Sequence, residues 1–190
     1  MNQKSRHRAI ITVVLLTMLA LTLNGSNCQA PTQRPGNSFD GSAHWARDIA
    51  QPLINSFAAD AQIYHINGVQ VYKDGRLPAN AGSWGLVAWS ASRQEVFQVN
   101  VRFNGATSTD TRSQTTPPGA NNQPIPDGWV NSTVIFDATA SHRDPSATLA
   151  TLAAFNLPTY SGPHWGINFN AGQEPNHFVN SDGTYLGTTP

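Results

Sequence analysis

The sequence predicts an α+β domain, with an antiparallel sheet of about four to six strands and helices packed on one face. Three observations carry that expectation. Residues 84–104 (WGLVAWSASRQEVFQVNVRFN) read as two strands joined by a polar turn. Phe97, Val99, Val101 and Phe103 fall on one side and Val96, Gln98, Asn100 and Arg102 on the other, the period of a half-buried strand. Upstream, Trp45, Ile49, Leu53 and Phe57 recur every four residues with Ile54 beside them, which makes one apolar helical stripe. Downstream, residues 165–170 (WGINFN) alternate again, with Trp165, Ile167 and Phe169 inward.

The chain begins with a basic segment, MNQKSRHR, followed by a 15-residue run at 9–23 with only threonines for polarity. As a helix this run spans roughly 22 Å, short of the ~30 Å hydrocarbon core, so it reads as a secretory signal rather than a membrane span. Cys28, the sole cysteine, lies just beyond it, preceded by Gly25, Ser26 and Asn27. This resembles a bacterial lipoprotein signal, in which the cysteine is lipidated and becomes the new N-terminus. The competing reading is ordinary signal-peptidase cleavage after Ala30. The position of the cysteine favours the lipoprotein, so the organisation is signal peptide 1–27, tether 28–38 and one domain at 39–190. Acyl chains at Cys28 would supply a membrane anchor.

Within the domain, Asp40 or Ser42 caps the first helix, which runs to about Phe57, and Pro52 is expected to kink or split it. Residues 61–73 hold two strand-like runs around Asn67-Gly68, either a hairpin or one longer strand with a bulge. Asp74-Gly75 offers a further turn. The hairpin at 84–104 follows. Residues 105–128 (GATSTDTRSQTTPPGANNQPIPDG) lack periodicity and read as a linker loop. Residues 129–142 read as a short helix capped by Asn131 or Ser132. Asp144-Pro145 opens another, with Leu149, Leu152, Ala153 and Phe155 as its apolar surface. The alternating run at 165–170, a run at 176–180, a turn at Ser181-Asp182-Gly183 and residues 184–186 complete a hairpin or three-strand meander.

Composition narrows the function. Of 11 basic residues, Lys4, Arg6 and Arg8 lie in the leader, leaving 8 against 11 acidic ones, near −3. The charges are scattered, so binding to a nucleic-acid backbone has no electrostatic support. With one cysteine, neither a disulfide framework nor a cysteine-based metal site is expected. His44, His65, His142, His164 and His177 show no metal-ligand spacing, although His164 and His177 are placed to meet across the C-terminal hairpin. No GxSxG, GxGxxG or P-loop occurs. Ser141-His142-Arg143-Asp144 contains the letters of a triad, but sequence neighbours do not make one, and capping explains Asp144 better. The carboxylate pair Asp137 and Glu174 needs geometry to be argued as a glycosidase pair. Trp89 points away from Trp84 by alternation. It is the candidate binding-surface residue, against the simpler reading that it packs under a loop.

Several motifs resemble those of secreted bacterial PepSY-like envelope domains. WGINF at 165–169 and HFVNSDGTYLG at 177–187 resemble the closing strand and hairpin of such units. WGLVAWSASRQEVFQV resembles their upstream strand pair, and WVNSTVIFDATA their helix start. The resemblance implies a cystatin-like sheet and helix in a cell-envelope protein that binds or inhibits peptidases; it assigns no site residue. The expectation is therefore an exported, non-catalytic envelope lipoprotein, without cofactor, that binds a protein or peptide, with strand addition at an open sheet edge as the expected mode. The alternatives are an envelope hydrolase using loop His and Asp or Glu residues, and a structural envelope component.

Overall fold

The computed structural model describes residues 39–118, 123–155, 164–169 and 176–188. All belong to the unit spanning 33–190. The signal, Cys28 and the whole tether therefore lie outside the described residues. In chain order the elements are α1 (Ala43–Phe57), β1 (Gln62–Tyr72), β2 (Ser83–Ser90), β3 (Glu95–Arg102), β4 (Thr107–Ser113), α2 (Ser132–Ala138), β5 (Leu149–Phe155), β6 (His164–Phe169), β7 (His177–Asn180) and β8 (Tyr185–Thr188). The strands form one antiparallel sheet in the order β4-β3-β2-β1-β5-β6-β7-β8.

The expected α+β class with four to six strands is thus corrected. Among the described residues the fold is mainly β, with eight strands and two helices. Two segments account for the difference, and a third departs from the expected hairpin. The expected helix after Asp144-Pro145 is instead β5, paired with β1 on one side and β6 on the other. LATLAAF is a short run, apolar but for Thr151, which suits a strand flanked on both edges as well as a helix, and periodicity alone does not separate the two. The loop expected at 105–128 contains β4, which pairs with β3 from Glu95↔Ser113 to Val101↔Thr107. Residues 62–72 form one eleven-residue strand, so Asn67-Gly68 is not a hairpin turn.

Helix α1 starts at Ser42, whose side chain accepts from the Trp45 backbone N–H, and continues through Pro52 as one helix. Its buried face is Ala43, Ala46, Ala50 and Ile54 together with Trp45, while Ile49, Leu53 and Phe57 are only half-buried. Three alanines on the sheet-facing side let the helix axis approach the strands closely. The helix packs on β1, β2 and β3. It meets the side bearing Trp84, Leu86, Ala88, Phe97, Val99 and Val101. Phe57 stacks on Phe97 at 4.7 Å, and the Trp84 indole N–H donates to the Gly41 carbonyl at 2.9 Å. The hairpin of β2 and β3 has the expected faces in most positions, except that Val96, on the side away from α1, is also buried.

The sheet is two four-stranded meanders, each preceded by a helix, joined between β1 and β5. The registers on the two sides of that joint correspond. Asn67 lies opposite Ala154, flanked by Ile66↔Phe155 and Gly68↔Ala153. Trp84 of β2 faces Gly68 of β1, and Trp165 of β6 faces Phe155 of β5. Trp84 also faces Val101 of β3, as Trp165 faces Val179 of β7. A two-fold rotation about the Asn67–Ala154 pair therefore carries one meander's register onto the other's. Trp84 and Trp165, each followed by glycine, meet edge to face near this axis at 6.2 Å.

One turn is used three times. Tyr72 N–H bonds Arg76 O and Gly75 N–H bonds Tyr72 O, both at 2.8 Å, while Arg76 N–H reaches the Asp74 carboxylate at 3.1 Å. Arg102, Asn104, Gly105 and Ala106 repeat the pattern between β3 and β4. Asn180, Asp182, Gly183 and Thr184 repeat it between β7 and β8. In each the glycine takes the left-handed conformation, with φ of 78°, 77° and 94°.

Candidate functional site

The sheet's two outer strands differ. β8 has four residues, and the pairing of β7 with β8 shifts register between Phe178 and Val179. β4 has seven residues, TSTDTRS, paired with β3 without a register shift, and every one of them is exposed. A seven-residue edge of threonines and serines with one aspartate and one arginine offers a run of backbone groups without an apolar surface that would invite aggregation.

Which backbone groups point outward follows from the two ends of the β3–β4 ladder. Arg102 N–H donates to Ala106 O at 2.9 Å, and Gln114 N–H donates to Gln94 O at 2.9 Å. Backbone direction alternates along an antiparallel strand. The even-numbered residues from 106 to 114 therefore bond inward, and Thr107, Thr109, Thr111 and Ser113 present their N–H and C=O groups outward. Asp110 acts on one of these, since its carboxylate accepts from the Thr111 N–H at 2.9 Å. Asp110 and Arg112 project to the same side of the sheet as Gln98 and Val96, their cross-strand neighbours. That side faces away from α1. On it, Gln98 donates to Asn100 at 3.2 Å, and Gly85 lies between Asn67 and Asn100.

Trp89 lies on this same side and is half-buried. Its indole N–H donates to the Gln114 carbonyl at 2.9 Å, and its ring meets Tyr64 edge to face at 6.0 Å. The residue thus packs beneath the chain that leaves β4 and fixes where that strand ends. Asp60 anchors the turn of the β2–β3 hairpin, at the same end as Trp89. It accepts from Ser92 N–H at 2.8 Å, Ser90 Oγ at 2.7 Å and Ser92 Oγ at 2.9 Å. These donors, the Ser92 N–H foremost, hold its carboxyl at about 2, below the usual aspartate range.

The ionisable groups weighed in the sequence are dispersed, except that His142 and His177 both contact Tyr185. His164 and His177 do not meet. His177 lies opposite Ile167 and packs near Phe169, whereas His164 lies opposite Asn180 and packs near Phe178. His142 stacks on Tyr185 at 3.8 Å, and the Tyr185 hydroxyl lies 3.1 Å from His177 Nδ1. His44 bonds the Trp129 carbonyl through Nε2 at 3.0 Å, and burial lowers its pKa. Asp144 caps no helix; it accepts from Ser146 N–H and Oγ in a turn before β5, and these bonds lower its pKa. Asp137 is described but Glu174 lies outside the described residues. Among the described residues no group of three His, Cys, Asp or Glu side chains is placed to hold a metal ion, and no helix is long and apolar enough to cross a membrane.

A groove of about 620 Å³ lies between α1 and residues 124–129, with Arg47, Asp48, Gln51 and Gln62 among its polar lining. Arg47 and Asp48 pair with each other at 2.9 Å. The groove is closed on one side by a bond from Ile125 N–H to Ile63 O at 2.7 Å.

The signal that would have found β4 is Asn104-Gly105, a hairpin dipeptide between two runs rich in strand-forming residues. Its message is obscured because the second run carries threonines and serines instead of apolar side chains. No family model, curated protein or solved structure matches the chain.

Proposed function

We propose that the chain is an exported, non-catalytic lipoprotein of the bacterial cell envelope, anchored through Cys28, that binds an extended segment of a protein or peptide along β4. The observation that carries the binding half is the β4 edge, with seven exposed polar residues and outward backbone groups at alternate positions. An added strand takes its affinity from such backbone groups and its selectivity from the side chains that alternate beside them. The basic segment, the 15-residue apolar run and the following cysteine support export and anchoring. The PepSY-like motifs are consistent with an envelope protein that binds peptidases or peptides. WGINF spans most of β6, and HFVNSDGTYLG spans the β7–β8 hairpin.

Two measurements test the two halves. Intact mass and detergent partitioning after expression in a bacterium compare wild type with Cys28→Ala. An acyl mass on residue 28, and partitioning lost in the variant, is the expected result; a mature N-terminus elsewhere overturns the anchor. For binding, a random-peptide display library is selected on wild type and on Thr111→Pro, which removes an outward N–H at an exposed position. Peptides enriched on wild type and lost on the variant are expected. Equal enrichment on both excludes β4 as the site.

A further inference from the structure

We propose that the partner taken by β4 is a second copy of this chain, whose own β4 pairs with it antiparallel in a register centred on Thr111. The inference rests on reading β4 as the binding edge. For the outward groups of two identical strands to bond, odd-numbered residues must face odd-numbered ones. Centred on Thr111, the register sets Thr109 against Ser113 and Thr111 against its own copy. The same register sets Asp110 against Arg112 twice, on the side of the sheet away from α1. Opposite charges directly across a ladder favour pairing, and like charges oppose it. A register centred on Thr109 would instead set Asp110 against Ser108 and Arg112 against Ala106, so it forfeits both ion pairs.

Two further features favour this arrangement. Asp110 already covers the Thr111 N–H with its carboxylate. In the pair that N–H passes to the opposing backbone, and the carboxylate is released to Arg112 of the other copy. Arg112 is exposed. The chain also already joins two four-stranded meanders antiparallel about a two-fold, at β1 and β5. Pairing at β4 repeats that operation between molecules and gives a closed two-fold dimer with a continuous sheet. The contact is small and polar, so confinement of anchored copies to one membrane surface would raise its occupancy.

The test uses the full chain with Cys28→Ala, so that an introduced thiol is the only cysteine. Directly opposed backbone-bonded residues lie about 5.5 Å apart at Cα, within reach of a disulfide. Under mild oxidation Thr111→Cys is expected to give a cross-linked dimer and Thr107→Cys little or none. Adding Asp110→Arg to the Thr111→Cys chain should cut the yield roughly tenfold, and adding Arg112→Asp as well should restore it. A dimer strongest at Thr109→Cys, or one indifferent to the charge reversals, overturns the register and its ion pairs. Absence of cross-linking at 107, 109 and 111 overturns self-pairing alone if Thr111→Pro still abolishes peptide selection. If Thr111→Pro leaves selection unchanged, the edge reading falls with it.

Discussion

Asp60 shows how one exposed side chain fixes a hairpin. Its three serine donors come from the β2–β3 turn region, so the carboxylate ties the end of α1's connection to the tip of that hairpin. Because the folded pKa is about 2 against an ordinary 3.8, the charged form is favoured by folding. Its contribution is therefore present in full above about pH 4 and is lost as pH falls through about 2. Asp60→Asn should lower the melting temperature at neutral pH and narrow its deficit relative to wild type as the pH approaches 2. A deficit that stays constant across that range would show that the charge contributes nothing. Gly68 makes the opposite kind of demand. A Cβ there would enter the ring of the fully buried Trp84, with Val71 also in its way. Gly68→Ala should cost about 1–3 kcal/mol by overpacking. Gly85→Ala meets the Asn67 side-chain oxygen first, a group able to turn toward solvent, and should cost less when both variants are compared by denaturant titration.

At the scale of elements, the thrice-used turn separates what the sequence discloses from what it conceals. Asp74-Gly75 and Asp182-Gly183 stand out as turns because the residues around them are strand-like and apolar. Asn104-Gly105 carries the same chemistry, but β4 after it has no apolar side chain, and an edge strand exposed on both faces leaves no hydrophobic periodicity. β5 fails for the converse reason. Its run, LATLAAF, is apolar but for Thr151 and lies between β1 and β6, so neither a helical nor a strand period shows. The β2–β3 hairpin and the inward Trp165, Ile167 and Phe169 were legible because one of their faces is buried and the alternation survives. Of the candidate site, Trp89 was legible as an aromatic on the side away from the core, but its bond to Gln114 depends on where a distant segment returns. The turns themselves are open to test. A Cβ at Gly105 would meet only ordinary contacts, Ile49 at 3.9 Å and Trp45 at 4.0 Å, so Gly105→Ala should cost only the left-handed strain, about 1–2 kcal/mol. Gly75 has nearly the same φ, but a Cβ there would also lie 2.6 Å from the Ser132 carbonyl carbon. Gly75→Ala should therefore be clearly the more destabilising of the two by thermal melt. Equal losses would mean that α2 moves away from the turn without cost.

At the scale of the whole molecule, the two-fold register about Asn67 and Ala154 sets how the halves depend on each other. The correspondence is hard to read in sequence. The helices are 15 and 7 residues long, β1 and β5 have unlike composition, and only the Trp-Gly pairs at 84–85 and 165–166 and the Asn-Gly and Asp-Gly turns repeat. In space, however, each half closes its core with its own tryptophan, and the two rings meet at 6.2 Å with planes 83° apart. Trp84 is also held by Gly41 at the start of α1, and Trp165 touches Trp129 just before α2 at 5.8 Å. The ring contact therefore links the helix starts of both meanders as well as β2 and β6. If the halves fold as one cooperative unit, Trp84→Leu and Trp165→Leu should each lower stability in a single transition. The double variant should then lose less than the two single losses combined, by about 0.5–1.5 kcal/mol, the usual worth of an edge-to-face pair. Strict additivity would show that the β1–β5 ladder alone couples the halves. Two separate unfolding transitions in either single variant would show that the halves unfold independently once the ring contact is lost, and that the joint between them is the weakest part of the sheet.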